Sequence, residues 1–149
     1  MAVTMKQVTA ALNTEEPDYQ QAVKMGAAAL PHLRKLVAGD DTMLASKAAY
    51  LAGMIDADGS EAIVAEAAQS DQVVVRVAAA NALTHISDSD TTLFEGLLAD
   101  QDVGVRKAAV RSAGTTGRRD LKPMVERLAV GDTADSIREL AATTIKKLR

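Results

Sequence analysis

With 149 residues the chain is long enough to bury the core of one ordinary domain without staples. It has no cysteine, which excludes disulfides, thiolate nucleophiles and zinc–thiolate centres, and aromatic residues make up only 2%, leaving few rings to stack on bases or sugars. With 17 basic and 20 acidic side chains the net charge is −3, which argues against nucleic acid or an anionic membrane as a partner, since both need a positive field.

The opening stretch, "MAVTMKQVTAALNTEEP", has no apolar run of signal-peptide length, and no later segment is apolar for long enough to span a bilayer. The expected location is cytoplasmic. Between Met5 and Met25 the pattern predicts two irregular helices split by "NTEEP", with Pro17 in the first turn of the second. From there on the chain alternates two kinds of segment. "AALPHLRKLVA", "SEAIVAEAAQ", "TTLFEGLLAD" and "LKPMVERLAV" space apolar residues three and four apart, as in Leu30, Leu33, Leu36 and Val37, the mark of a helix with one buried stripe. Ser60 is placed to cap the second of these.

After each, a polar turn ("GDD", "SDQ", "DQD", "GDT") leads into an alanine-rich helix. The alanine-rich segments align without gaps: "LASKAAYLAGMI" from Leu44, "VRVAAANALTHI" from Val75, "VRKAAVRSAGTT" from Val105 and "IRELAATTIKKL" from Ile137. Their starts are 31, 30 and 32 residues apart, so the unit is a helix–turn–helix of roughly thirty residues repeated about four times. "VVV" at Val73–Val75 is β-like in composition but opens one of these helices. The expected fold is therefore all-α, an α-solenoid of a single domain over 1–149. Its parts would be an N-terminal helical cap or degenerate repeat over 1–25 and repeats over 26–56, 57–87, 88–117 and 118–149.

Each second helix of such a stack is sandwiched between neighbours. Alanine at Ala78, Ala79, Ala82, Ala108, Ala109 and Ala141 provides narrow contact faces at high helix propensity, while Val75, Leu83, Ile86, Val105 and Ile137 fill the remaining space. Gly53 and Gly114 fall where the following helix comes closest. In the last copy Lys146 takes that position beside Thr143 and Thr144, the polar outer face expected of a terminal repeat.

From Gly26 to Leu148 the chain resembles the HEAT-repeat family, and more narrowly its short-repeat subclass first associated with phycobilisome lyases. The signature Val-Arg-x-Ala-Ala-x-x-Ala-Leu-Gly-x-Ile is close to "VRVAAANALTHI" and "VRKAAVRSAGTT"; the first copy departs from it at Ala45 and the last at Lys146. The resemblance implies a right-handed superhelix. It also implies that Arg76, Arg106 and Arg138 are structural, each meeting a carboxylate from the turns that hold Asp71, Asp100, Asp102 and Asp132. A bilin lyase or lyase-like subunit is the activity it would suggest, but the chain is short for that and has few rings to hold a tetrapyrrole.

The residue types of a catalytic triad occur in "HISDSD", His85 to Asp90, but side by side in an inter-repeat turn, where serine and aspartate are ordinary turn and cap residues. "DADGSE", Asp56 to Glu61, lacks the first and last acidic ligands of a calcium loop. His32 has no neighbour at metal-ligand spacing and reads as a surface residue. The expectation is no catalytic residue, metal or cofactor. A weak nucleic-acid strip on the third repeat, from Lys107, Arg111, Arg118 and Arg119, is offset by nearby aspartates.

Second helices of a solenoid line its concave side, and three columns of positions run across them. Ser46, Val77, Lys107 and Glu139 form one; Tyr50, Asn81, Arg111 and Thr143 a second; Met54, His85, Thr115 and Lys147 a third. These positions vary in chemistry while the buried ones repeat, the contrast a partner-binding surface produces. The expected function is non-catalytic: an adaptor or scaffold, monomeric or weakly self-associating, that binds a protein or peptide there, with Tyr50 and Arg111 of the types enriched in interface hot spots.

Overall fold

Polar turn residues start four of the longer helices by accepting hydrogen bonds from backbone N–H groups that lack a partner within the helix. Thr4 and Gln7 form a reciprocal capping box on α1 (Met5–Leu12). Asp41 caps α4 (Thr42–Ile55), Asp90 caps α7 (Thr91–Leu98) and Asp102 caps α8 (Val103–Thr116). The remaining α-helices are α2 (Tyr19–Ala22), α3 (Leu30–Val37), α5 (Ser60–Ala68), α6 (Val73–Ala82), α9 (Lys122–Gly131) and α10 (Asp135–Ile145). The computed structural model describes residues 2–148, and among these there is no strand. The chain is all-helical.

Two local expectations are corrected. Pro17 lies just outside α2, whose cap is Asp18. The Ser60 hydroxyl turns back to accept from the Ala57 N–H, so it closes the preceding loop, and Gly59 holds the cap position. The segment Val23–Ala29 is 3₁₀ in character and is interrupted at Gly26, whose φ of 66° no other residue type adopts as cheaply.

Helices pack in two parallel series. In one, α4 lies on α6, α6 on α8 and α8 on α10; in the other, α3 lies on α5, α5 on α7 and α7 on α9. Consecutive helices also pack as hairpins, α3 on α4, α5 on α6, α7 on α8 and α9 on α10. Ala79, Ala82, Ala108, Ala109 and Ala141 are buried at these contacts, with Ala78 half-buried beside them. Val75, Leu83, Ile86, Val105 and Ile137 are buried too. The N-terminal helices join a second apolar cluster, in which Val8, Leu12 and Ala22 meet Leu33, Ala48 and Leu51. His32 takes part here. It is half-buried, its Nε2 lies 2.7 Å from the Val3 carbonyl oxygen, and it pins the N-terminal segment to α3 instead of standing free on the surface.

Two close approaches between helices fall at one repeated pair of positions. A Cβ on Gly53 would stand 2.7 Å from both the Cβ and the carbonyl oxygen of Ala82, so α4 and α6 meet there backbone to backbone. A Cβ on Gly114 would stand 3.1 Å from Thr144 Cγ2, and Thr144 is buried by this contact, unlike the exposed Lys146 and Thr143. Between these two junctions the glycine position holds Thr84. There the neighbouring position is Ser112; Thr84 Oγ1 donates to Ser112 Oγ at 2.9 Å and Ser112 Oγ donates to the Ala80 carbonyl at 2.6 Å. A hydrogen-bonded pair thus replaces a bare contact.

Two arginines bind adjacent turns together. Arg76 Nε and Nη2 donate to the Asp100 carboxylate at 2.9 and 3.3 Å, and Arg106 Nε and Nη2 donate to Asp132 at 2.9 and 3.0 Å. Each arginine also reaches back six residues: Arg76 Nη1 to the Ser70 carbonyl, Arg106 Nη1 to the Asp100 carbonyl. Arg138 makes the same return bond to the Asp132 carbonyl but pairs with Asp135 on its own helix, so it does not cross to another turn. Asp102 is a cap, not an arginine partner.

Burial pushes the Asp132 carboxyl up, but the bonds from Arg106 and the Ala134 N–H, with the charges of Arg106 and Arg138, outweigh it and hold the group below the usual aspartate range. A depressed folded-state pKa adds stability above the unfolded-state value and loses it as the pH falls through the folded one. In urea unfolding, Asp132→Asn should therefore be less stable than the parent at neutral pH, with the deficit shrinking below about pH 4. Gly53→Ala should cost about 1–3 kcal/mol, because α6 must give way. Gly96→Ala, where an added Cβ meets nothing within 4 Å, should instead be neutral or gain up to about 1 kcal/mol of helix propensity.

Candidate functional site

The outward positions of α4, α6, α8 and α10 hold the residues singled out as partner-binding. Asn81, Lys107, Arg111 and Lys147 are exposed, as are Thr115, Glu139 and Thr143. Tyr50, Met54, Val77 and His85 are half-buried. Ser46 does not belong with them: it is buried, and its hydroxyl donates to the Thr42 carbonyl one helical turn earlier.

Tyr50 and His85, which belong to different columns, are joined. The Tyr50 hydroxyl lies 2.9 Å from His85 Nε2, and the rings meet edge to face at 5.2 Å. On its other side Tyr50 meets Tyr19 edge to face at 5.0 Å. Geometry of this kind contributes beyond simple burial. The helices supply the three rings from different directions: Tyr50 from the middle of α4, His85 from the 3₁₀ turn Leu83–His85 that ends α6, Tyr19 from the first residue of α2. Burial pushes the Tyr19 phenol above its ordinary value, and the Tyr50 phenol adds to the shift. Tyr19 lies outside the repeats, so no column could have shown it.

The other groups of "HISDSD" are engaged elsewhere. Ser87 donates its hydroxyl to Asp56 at 2.8 Å, which links the turn after α6 to the turn after α4. Ser89 is buried and accepts from Arg118 Nη1 at 2.9 Å through its hydroxyl and 2.7 Å through its carbonyl. Asp90 caps α7 and takes its own backbone bond to Glu61. Asp88 stands in the left-handed region at φ 54°. Serine and aspartate here hold turns and helix ends.

Arg118 also changes the reading of the basic residues on the third repeat. It pairs with Asp120, its guanidinium lies 5.8 Å from the Phe94 ring centre, and it bonds Ser89, so its charge is turned inward. Lys107, Arg111 and Arg119 are exposed without it. No helix among the described residues is long and apolar enough to cross a membrane.

Tyr50→Phe should cost about 0.5–1.5 kcal/mol in chemical unfolding, the worth of one half-buried hydrogen bond. Tyr50→Ala should cost more, since both edge-to-face contacts go with the ring. No protein-family model matches the chain, and no curated protein matches it.

Proposed function

We propose that the chain is a non-catalytic interaction module of the HEAT-like, right-handed α-solenoid type, which binds a protein or peptide along the face formed by its second helices. The reading rests on one contrast. At the buried positions the chemistry repeats from copy to copy, as in Val75, Val105 and Ile137 or Ala79, Ala109 and Ala141. At the outward positions of the same helices it does not: Tyr50, Asn81, Arg111 and Thr143 share a column and no property. Packing holds the buried positions to one chemistry, while the outward positions are free of that constraint and available for recognition. Tyr50, held by Tyr19 and His85, presents a rigid aromatic edge, the type of group that loses little entropy on binding. Exposed Asn81 and Arg111 supply adaptable polar contacts on the next two helices.

The serial packing of α4, α6, α8 and α10 supports the solenoid, since each helix meets its counterparts in the neighbouring hairpins. Affinity capture with the intact chain tests the function. Asn81→Arg with Arg111→Glu alters exposed side chains alone, and should remove the captured partner while the unfolding midpoint stays put. Tyr50→Ala should do the same at some cost in stability. A partner retained by both variants would assign recognition to another surface.

A further inference from the structure

The ladder of arginines has a vacant rung. At the first junction the arginine position is Ala45, and the turn position that holds Asp100 and Asp132 further along is Ser70. Both halves of the ion pair are missing together. Ser70 keeps the local part of the aspartate's work: its hydroxyl accepts from the Gln72 N–H at 3.1 Å, as Asp100 accepts from Asp102 and Asp132 from Ala134. Where the guanidinium would lie, the structure has a cleft of about 480 Å³, lined by Gly39, Asp40, Ala45, Glu66, Ser70 and Asp71 among others. That volume falls within the range of small-ligand sites.

The two occupied rungs show what such a cleft accepts. Each takes one guanidinium, with a nitrogen on the carbonyl six residues before the arginine and the remaining donors on acidic oxygen. Six residues before Ala45 the carbonyl belongs to Gly39, which lines the cleft. Three acidic residues, Asp40, Asp71 and Glu66, are among its lining, and Glu66 is paired with Arg34.

Large aliphatic side chains are exposed beside it. Met43 is 56% exposed, Val73 41% and Val74 42%, adjoining the lining residues Thr42 and Gln72. Among the described residues the other exposed large hydrophobics are Val103, the first residue of α8, and Val130, near the end of α9.

We infer that the vacant rung binds an arginine side chain of a protein partner, flanked by aliphatic residues, so that the partner supplies in trans the guanidinium that Arg76 and Arg106 supply in cis. The fit favours arginine over lysine. A planar fork reaches a carbonyl and a wall carboxylate at once, and an ammonium is a point charge. This site lies on the row of turns, away from Tyr50, Asn81 and Arg111, and does not depend on recognition there.

The test is a titration of the isotopically labelled intact chain, followed by amide NMR, with acetyl-Leu-Arg-Leu-amide and its lysine and citrulline counterparts. The arginine peptide should shift the amides of Gly39, Ser70 and Val74 and bind at least about tenfold more tightly than the other two. Ala45→Arg with Ser70→Asp should fill the cleft from within, abolishing the shifts and raising the unfolding midpoint. Asp40→Lys with Asp71→Lys, which changes two exposed side chains only, should weaken binding about tenfold even if the filled variant folds poorly. Asn81→Arg with Arg111→Glu should leave the titration unchanged, separating this site from the second-helix face. Equal binding of the three peptides, shifts centred elsewhere, or unaltered binding in the Asp40/Asp71 variant would overturn the inference.

Discussion

Close approach between successive second helices is the constraint from which the rest of this molecule follows. At Gly53 and Ala82 two backbones meet with no room for a methyl group, and at Gly114 the limit is set by Thr144. Helices this close bury little area per residue, so the alanine-rich sequence gives up large side chains in exchange for many small, tight contacts. Dispersion accumulates over such a surface although each atom pair contributes little. It also explains the near absence of aromatic residues: Phe94 is buried in α7, between the hairpins, and not on the narrow faces of α4, α6 and α8. Where neither position can be bare, as at Thr84 and Ser112, each hydroxyl donates to an acceptor across the junction, so burial costs no unsatisfied group.

Small contacts set distance but fix angle poorly, and polar links supply the missing restraint. Arg76–Asp100 and Arg106–Asp132 tie neighbouring turns at one end of the hairpins, while Asp56–Ser87, Glu61–Asp90 and Arg118–Ser89 tie loops at the other. The turn aspartates do two jobs, closing a local turn and accepting a guanidinium from the preceding hairpin. Ser70 is informative because the jobs separate there. With Ala45 in place of the arginine, an aspartate at position 70 would lack a partner, and the residue present retains only the turn bond.

On the second-helix face, Tyr50 is held by contacts with other elements. Tyr50 sits in a column whose other members are Asn81, Arg111 and Thr143, and it is fixed by groups from two other elements, Tyr19 and His85. Two of the three aromatic residues in the chain converge on this spot. Contacts on both sides restrict the orientations open to the ring. That is what our proposed recognition role asks of it.

Much of this was written in local pattern. Apolar spacing of three and four, polar turns and the recurrence of the alanine-rich segment determine helices, their pairing into hairpins and the identity of the buried residues from Val75 to Ile137. The glycines at 53 and 114 were legible because the repeat aligns them. Each of these depends on neighbours a few residues away or exactly one repeat away. Tertiary structure alone decided which aspartate each arginine meets, that Ser46 is hidden, that His32 holds Val3 and that Tyr19, Tyr50 and His85 form one cluster. The physical reason is range. Helix formation is a local equilibrium that a periodic sequence records, whereas a hydrogen bond between Tyr50 and His85 or a cleft at Ala45 exists only once two hairpins have been placed side by side, at a separation and angle that no single segment encodes.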